Sequence, residues 1–100
     1  VINMSVLVTY DMNVKPETMD DLMDFMKNGL HYTRSADGCN GLTVHVNQDN
    51  PNNVLVVVDW DSREQYETYS SWRAERGDLE KVGSWLTEAA SVRFFDNLRL

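Results

Sequence analysis

From Met4 onward, apolar and polar positions alternate. Val6, Val8, Tyr10 and Met12 stand against Ser5, Thr9 and Asp11, with Leu7 breaking the polar side. A two-residue period places successive side chains on opposite faces of a strand, so residues 4–12 are predicted to form one. The period then lengthens. Met19, Leu22, Met23, Met26 and Leu30 recur at three- and four-residue spacing, while Asp20, Asp21, Asp24 and Lys27 fill the other side. This predicts an amphipathic helix over 15–32, with Pro16 suited to its entrance and the early carboxylates complementing its dipole. After the turn-rich "SADGCNG", Leu42, Val44 and Val46 alternate with Thr43, His45 and Asn47, which predicts a second strand.

"DNPNN" reads as a hairpin connection. The following "VLVVVDW" is apolar at every position from Val54 to Val58, the pattern of a central strand covered on both faces. Ser62 with Gln65 three residues on is a capping-box pattern, predicting a helix that runs through Tyr66, Tyr69 and Trp72 to about Arg76 and stops at Gly77. Asp78 is placed to cap a further helix carrying Leu79, Val82, Leu86 and Ala89 on one stripe, and "SVRFFDNL" closes the chain as a last strand. The order is that of an α+β, ferredoxin-like βαββααβ sandwich with an antiparallel sheet, formed by one domain over 1–100. Helices cover one sheet face. Leu55 and Val57 point to the other, and with no spare element to cover them a second copy packed sheet against sheet is expected.

Composition narrows the partners. The 42% hydrophobic and 25% charged residues are those of a globular domain, and no apolar run approaches the roughly 20 residues of a membrane span. "VINMSVLV" lacks the basic start and long apolar core of a signal peptide, and Cys39 is a lone cysteine, so a cytoplasmic home is expected. The net charge of −7 argues against nucleic acid, whose binding draws on clustered Lys and Arg. Arg73, Arg76 and Lys81 are interleaved with Glu75, Asp78 and Glu80.

Motif chemistry is sparse. His31 and His45 lie on different elements and neither stands in a ligand pattern such as H-E-x-x-H, so no metal site is predicted, and no phosphate-binding, dinucleotide or nucleophile-elbow motif occurs. Cys39 reads as a small residue in a tight bend. What remains is a set of rings and polar tips. Tyr66, Tyr69 and Arg73 fall at i, i+3 and i+7 on one face of the second helix, with Trp72 three beyond Tyr69; Trp60 ends the preceding strand. His45 lies on the neighbouring strand and Tyr10 on the first. Between a helix layer and a sheet, such residues can line a cleft for an apolar small molecule whose polar atoms they fix. Simple core packing is the alternative for Tyr66, and a half-exposed strand position for His45.

"TRSADGCNGLTVHV", "VVVDWDSREQYETY" and "SVRFFDNL" together resemble the signature segments of the antibiotic biosynthesis monooxygenase family, within the dimeric α/β barrel superfamily. The resemblance spans nearly the whole chain. It implies a dimeric barrel and oxidation of a small aromatic or quinol-type compound by O2, with no metal, flavin or haem cofactor. The family's tryptophan and tyrosine pair corresponds to Trp60 and Tyr66, while Tyr69 stands where many relatives carry a histidine. Leu79 stands where haem-degrading members of the superfamily carry theirs, which disfavours haem degradation. His45 is the expected general base, since histidine titrates nearest neutral pH, and Arg73 the expected holder of an oxyanion; Tyr69 completes the catalytic set, with Trp60, Tyr66, Trp72 and Tyr10 binding substrate. A non-catalytic binding module for an aromatic ligand, and an oxygen-independent isomerase of small metabolites, are the competing readings.

Overall fold

The computed structural model describes residues 5–100; Met4, with which the first predicted strand begins, and the first half of the N-terminal stretch read for targeting features lie outside them. The elements are β1 (Val6–Asn13), a short 3-10 turn (Pro16–Thr18), α1 (Met19–Arg34), β2 (Cys39–Asn47), β3 (Asn50–Trp60), α2 (Arg63–Glu75), α3 (Asp78–Gly83) and β4 (Ser91–Asp96). The sheet order is β2-β3-β1-β4 with every neighbouring pair antiparallel, the ferredoxin-like arrangement expected from the element order.

Register divides the residues between two faces. Val6, Val8 and Met12 pair with Trp60, Val58 and Val54, and all are buried beneath Leu22 and Met26 of α1 and Val82 of α3. The core therefore lies between sheet and helices. Thr9, Leu55 and Val57 point the other way, where no element of the described chain covers them. Leu7 and Phe95 remain 39% and 42% exposed on that open face.

Several local features differ from the sequence reading. "DNPNN" is not a loop: the turn is Gln48 and Asp49, and Asn50 already pairs with Asn47. The Asn47 side chain closes this turn by accepting from the Asp49 N–H at 2.8 Å, so the chain reverses in fewer residues than the polar run implied. Cys39 is the first residue of β2, opposite Trp60, and the bend belongs to Gly38. Gly38 has φ +92°, a left-handed conformation that glycine adopts without strain, and a Cβ there would come within 2.6 Å of the Gln65 side-chain amide, which would have to shift. The capping reading at α2 agrees with the structure, the Gln65 N–H donating to Ser62 Oγ at 3.2 Å.

Helix α3 is shorter than its stripe. It ends at Gly83, and Leu86 instead forms a bridge with Val14, where it is buried. Asp78 caps nothing. Gly77, at φ +83°, occupies the cap position, and the Asp78 carboxylate is taken by two arginines.

Candidate functional site

Beneath the helices, the core leaves a cavity of about 120 Å³. Its floor comes from alternate residues of two paired strands, Val8, Tyr10 and Met12 of β1 and Val56, Val58 and Trp60 of β3. Its roof comes from the apolar stripe of α1 (Leu22, Phe25, Met26, Leu30), from α2 (Tyr66, Tyr69, Ser70, Arg73) and from Leu79 and Val82. The three- and four-residue spacing that makes α2 look like a packing face is also what aims its hydroxyls and guanidinium at this cavity.

Trp60 anchors one end. It is 1% exposed and its ring meets Tyr69 at 5.4 Å and Tyr66 at 5.9 Å between centroids. The indole Nε1–H is buried and has no hydrogen-bond acceptor among the described residues. A buried donor left unpaired costs about 1–3 kcal/mol, so a ligand oxygen able to accept from it would recover that loss. On the first strand, burial pushes the Tyr10 hydroxyl above its ordinary value of 10.0, and the nearby Tyr66 adds to the shift. Tyr69 is raised chiefly by burial, against the opposing effects of its hydrogen bond to Thr33 and the charge of Arg73. Both stay protonated at neutral pH and can donate to an anion.

The Tyr69 hydroxyl lies 2.6 Å from Thr33 Oγ1, joining α2 to α1. Arg73 crosses between the same helices. Its Nε is 3.1 Å from Asp78 Oδ2 and its Nη1 donates to the Gly29 carbonyl at 3.3 Å. Asp78 also receives Arg76 Nε at 3.0 Å. The guanidinium therefore borders the cavity with its charge already matched by a carboxylate.

Trp60, Tyr66, Tyr69, Arg73 and Tyr10 thus converge, as the sequence reading placed them. His45 and Trp72 do not. His45 pairs with Leu55 on the open sheet face, exposed and bonded to Thr43 Oγ1 at 2.7 Å, so the sheet itself separates it from the cavity. Strand alternation dictates this: Leu42, Val44 and Val46 share the helix side with Val54, Val56 and Val58, which sends His45 to the other. Trp72 is 41% exposed on the outside of α2, against Tyr32. Thr33, Gly29 and Asp78 are site residues the pattern did not single out. Thr33 could have been found, because it continues the stripe of Leu22, Met26 and Leu30 as a polar residue on an apolar line. The cavity lining contains no histidine and no carboxylate, and no cluster of three His, Cys, Asp or Glu side chains suited to a metal ion occurs among the described residues.

An antiparallel sheet roofed by helices, with an aromatic-walled cavity between the layers, defines a ferredoxin-like α+β sandwich domain. The model of the antibiotic biosynthesis monooxygenase family matches residues 5–74, and the chain belongs to that family. Its fold is shared by a conserved protein from Methanosarcina mazei (TM-score 0.85, 16% identity, 93% of this chain and 92% of that one). The protein Rv0793 from Mycobacterium tuberculosis is similar (TM-score 0.83, 19% identity, 94% and 95%). So is an antibiotic biosynthesis monooxygenase (TM-score 0.83, 16% identity, 93% and 98%). At these identities the likeness establishes the fold alone. No curated protein matches the sequence.

Proposed function

We propose that the chain binds a single-ring, electron-rich aromatic compound of the phenol or quinol class between sheet and helices, and that O2 oxidises it there without a metal, flavin or haem. One observation carries the reading. An apolar cavity is edged by polar groups that can donate and by no carboxylate, among them the unpartnered Trp60 N–H and the protonated Tyr10 and Tyr69 hydroxyls. Apolar cavities of about 150 Å³ accept one benzene ring, so about 120 Å³ fits one ring after slight relaxation and not a fused ring system. Donors aimed at a developing anion stabilise a phenolate or the carbanion conjugated with it, which is the species able to reduce O2. For a quinol whose ring C–H becomes C–OH while its two phenol groups become the carbonyls of the quinone, one oxygen atom enters the product and the other leaves as water. The substrate then supplies all the electrons.

No lining residue acts as a base near neutral pH, so the substrate ionises by its own acidity and the donors favour that ionised form. The test is oxygen uptake with single-ring hydroquinones and cyclic CH2-activated phenols, aerobic against anaerobic. Uptake no faster than in buffer alone, in the presence of demonstrated ligand binding, refutes catalysis. The same missing base favours a second reading, a module that holds an aromatic ligand without turnover; ligand-dependent thermal stabilisation with no product is its signature.

The reading includes a two-fold dimer through the open sheet face. Leu7, Leu55, Val57 and Phe95 form that face, and covering Leu7 and Phe95, 39% and 42% exposed, would contribute roughly 1 kcal/mol each. Thr9 at its centre has a buried hydroxyl with no partner among the described residues. Sedimentation showing a monomer at micromolar concentration, unchanged by Phe95→Glu, would overturn the dimer.

A further inference from the structure

A second recess lies on the outside of the helix layer, a groove of about 520 Å³ between the end of α1 and α2, lined by Tyr32, Ser35, Gln65, Thr68 and Trp72 among others. Tyr69 is the one residue that borders both this groove and the inner cavity. Its ring faces Trp60 on the inner side at 5.4 Å and Trp72 on the outer side at 5.9 Å, and Trp72 meets Tyr32 edge-on at 5.6 Å. The Arg76 guanidinium sits over both outer rings, 4.5 Å from Tyr32 and 4.9 Å from Trp72. A line of rings therefore runs from the buried cavity to the surface, and Tyr69 stands in it as a partition. The partition is held by one contact that spans the helices, the 2.6 Å bond to Thr33.

We propose that the groove is the outer half of the ligand site, and that Tyr69, latched to Thr33, is the movable wall between the halves. The inference rests on the inner cavity being the ligand site. The inner cavity takes one phenolic ring, while Trp72 and Tyr32, set edge-to-face at the groove, offer an aromatic corner against which a second ring, joined to the first by a short linker, can pack. For such a ligand to span both, the Tyr69 ring rotates away from Thr33, so the latch opposes two-ring ligands and leaves single-ring ones indifferent. Tyr69 in this role sets which ligands are accepted.

The test compares phenol with 4-benzylphenol by calorimetric or NMR titration of the full chain. In the wild type 4-benzylphenol binds more tightly than phenol. Trp72→Ala weakens 4-benzylphenol by roughly threefold to tenfold, the size of one aromatic contact, and leaves phenol unchanged. Thr33→Val, which keeps the side-chain shape and removes the latch, strengthens 4-benzylphenol relative to phenol, and circular dichroism confirms that both variants fold. Phenol binding with no preference for 4-benzylphenol, or equal losses for both ligands in Trp72→Ala, overturns the outer site while leaving the inner one standing. Failure of both ligands to bind overturns both sites.

Discussion

Replacing Asp78 by Asn tests whether the buried carboxylate fixes Arg73 at the cavity wall. Asp78 is 8% exposed, and its Oδ2 receives Arg73 at 3.1 Å and Arg76 at 3.0 Å. The two pairs are unequal. The Arg73 side chain is 12% exposed and Arg76 41%, so water screens the second far more than the first. A charge-assisted hydrogen bond in the poorly screened interior contributes roughly 1.5–3 kcal/mol, and a carboxylate in the first turn of α3 about 0.3–1. Asn keeps the shape and one acceptor, which puts the expected loss at roughly 2–4 kcal/mol. That is a large share of the total for a domain this size.

Urea unfolding followed by tryptophan fluorescence at fixed protein concentration measures the loss, and Arg73→Met with the double variant completes a cycle. The coupling between positions 73 and 78 is expected to exceed about 1 kcal/mol, because removing one partner leaves the other charge buried and unmatched. A loss below about 1 kcal/mol for Asp78→Asn, or simple additivity within about 0.5 kcal/mol, refutes the account. A functional sign follows as well. Freed of Asp78, the guanidinium faces the cavity uncompensated, so an anionic single-ring phenolate gains affinity over neutral phenol.

Trp60→Phe removes the unpaired N–H along with some volume, so phenol affinity falls by roughly twofold to tenfold while that of toluene, which has no oxygen to accept the bond, does not; equal losses would mean the N–H plays no part. His45→Ala leaves phenol affinity unchanged by titration, since the sheet lies between residue and cavity, and a clear loss would contradict the register. Tyr10 and Tyr69 have folded-state values raised above 10.0. Their contribution to stability is therefore complete below pH about 10 and is lost as pH rises through the raised values. Thermal unfolding in alkaline buffer should show that decline, flattened in Tyr10→Phe and Tyr69→Phe; an unchanged slope would count against their burial.

The order of elements was legible because each change of period coincides with a change of structure. Site residues were legible only where one element carries them. Tyr66, Tyr69 and Arg73 share an α2 face, so helical spacing alone groups them. His45 was misplaced because adjacency of strands says nothing about face until register is known, and a shift of one residue would have brought it under the helices. Asp78 was read as a cap from its position after Gly77, yet its carboxylate answers to Arg73 and Arg76, and side-chain pairing across a helix junction leaves no periodic trace. Ala89 and Leu86 continue a helical stripe on paper, but Leu86 is drawn into a bridge with Val14, a long-range contact that overrides local pattern.

The lack of a base in the cavity has its own consequence, separable from the binding readings. If a histidine drove deprotonation, every substrate would share one pH–rate profile set by that residue. With a lining of tyrosine, serine, threonine and arginine, the ionising group is the substrate, and the profile must move with it. A series of single-ring hydroquinones differing only in ring substituents should give oxygen-uptake profiles whose midpoints track the substrate pKa, each displaced by the Trp60 and tyrosine donors, which favour the anion, against burial, which opposes it as it does for Tyr10 and Tyr69. A shift of one unit corresponds to about 1.4 kcal/mol of preferential stabilisation, so the Trp60 donor, at roughly 0.5–1.5 kcal/mol, lowers the midpoint by up to about one unit. Trp60→Phe should return part of that shift. A common midpoint across the series, unaffected by the substituents, would show that a protein group does the work and would return the search for a base to the residues of a partner subunit.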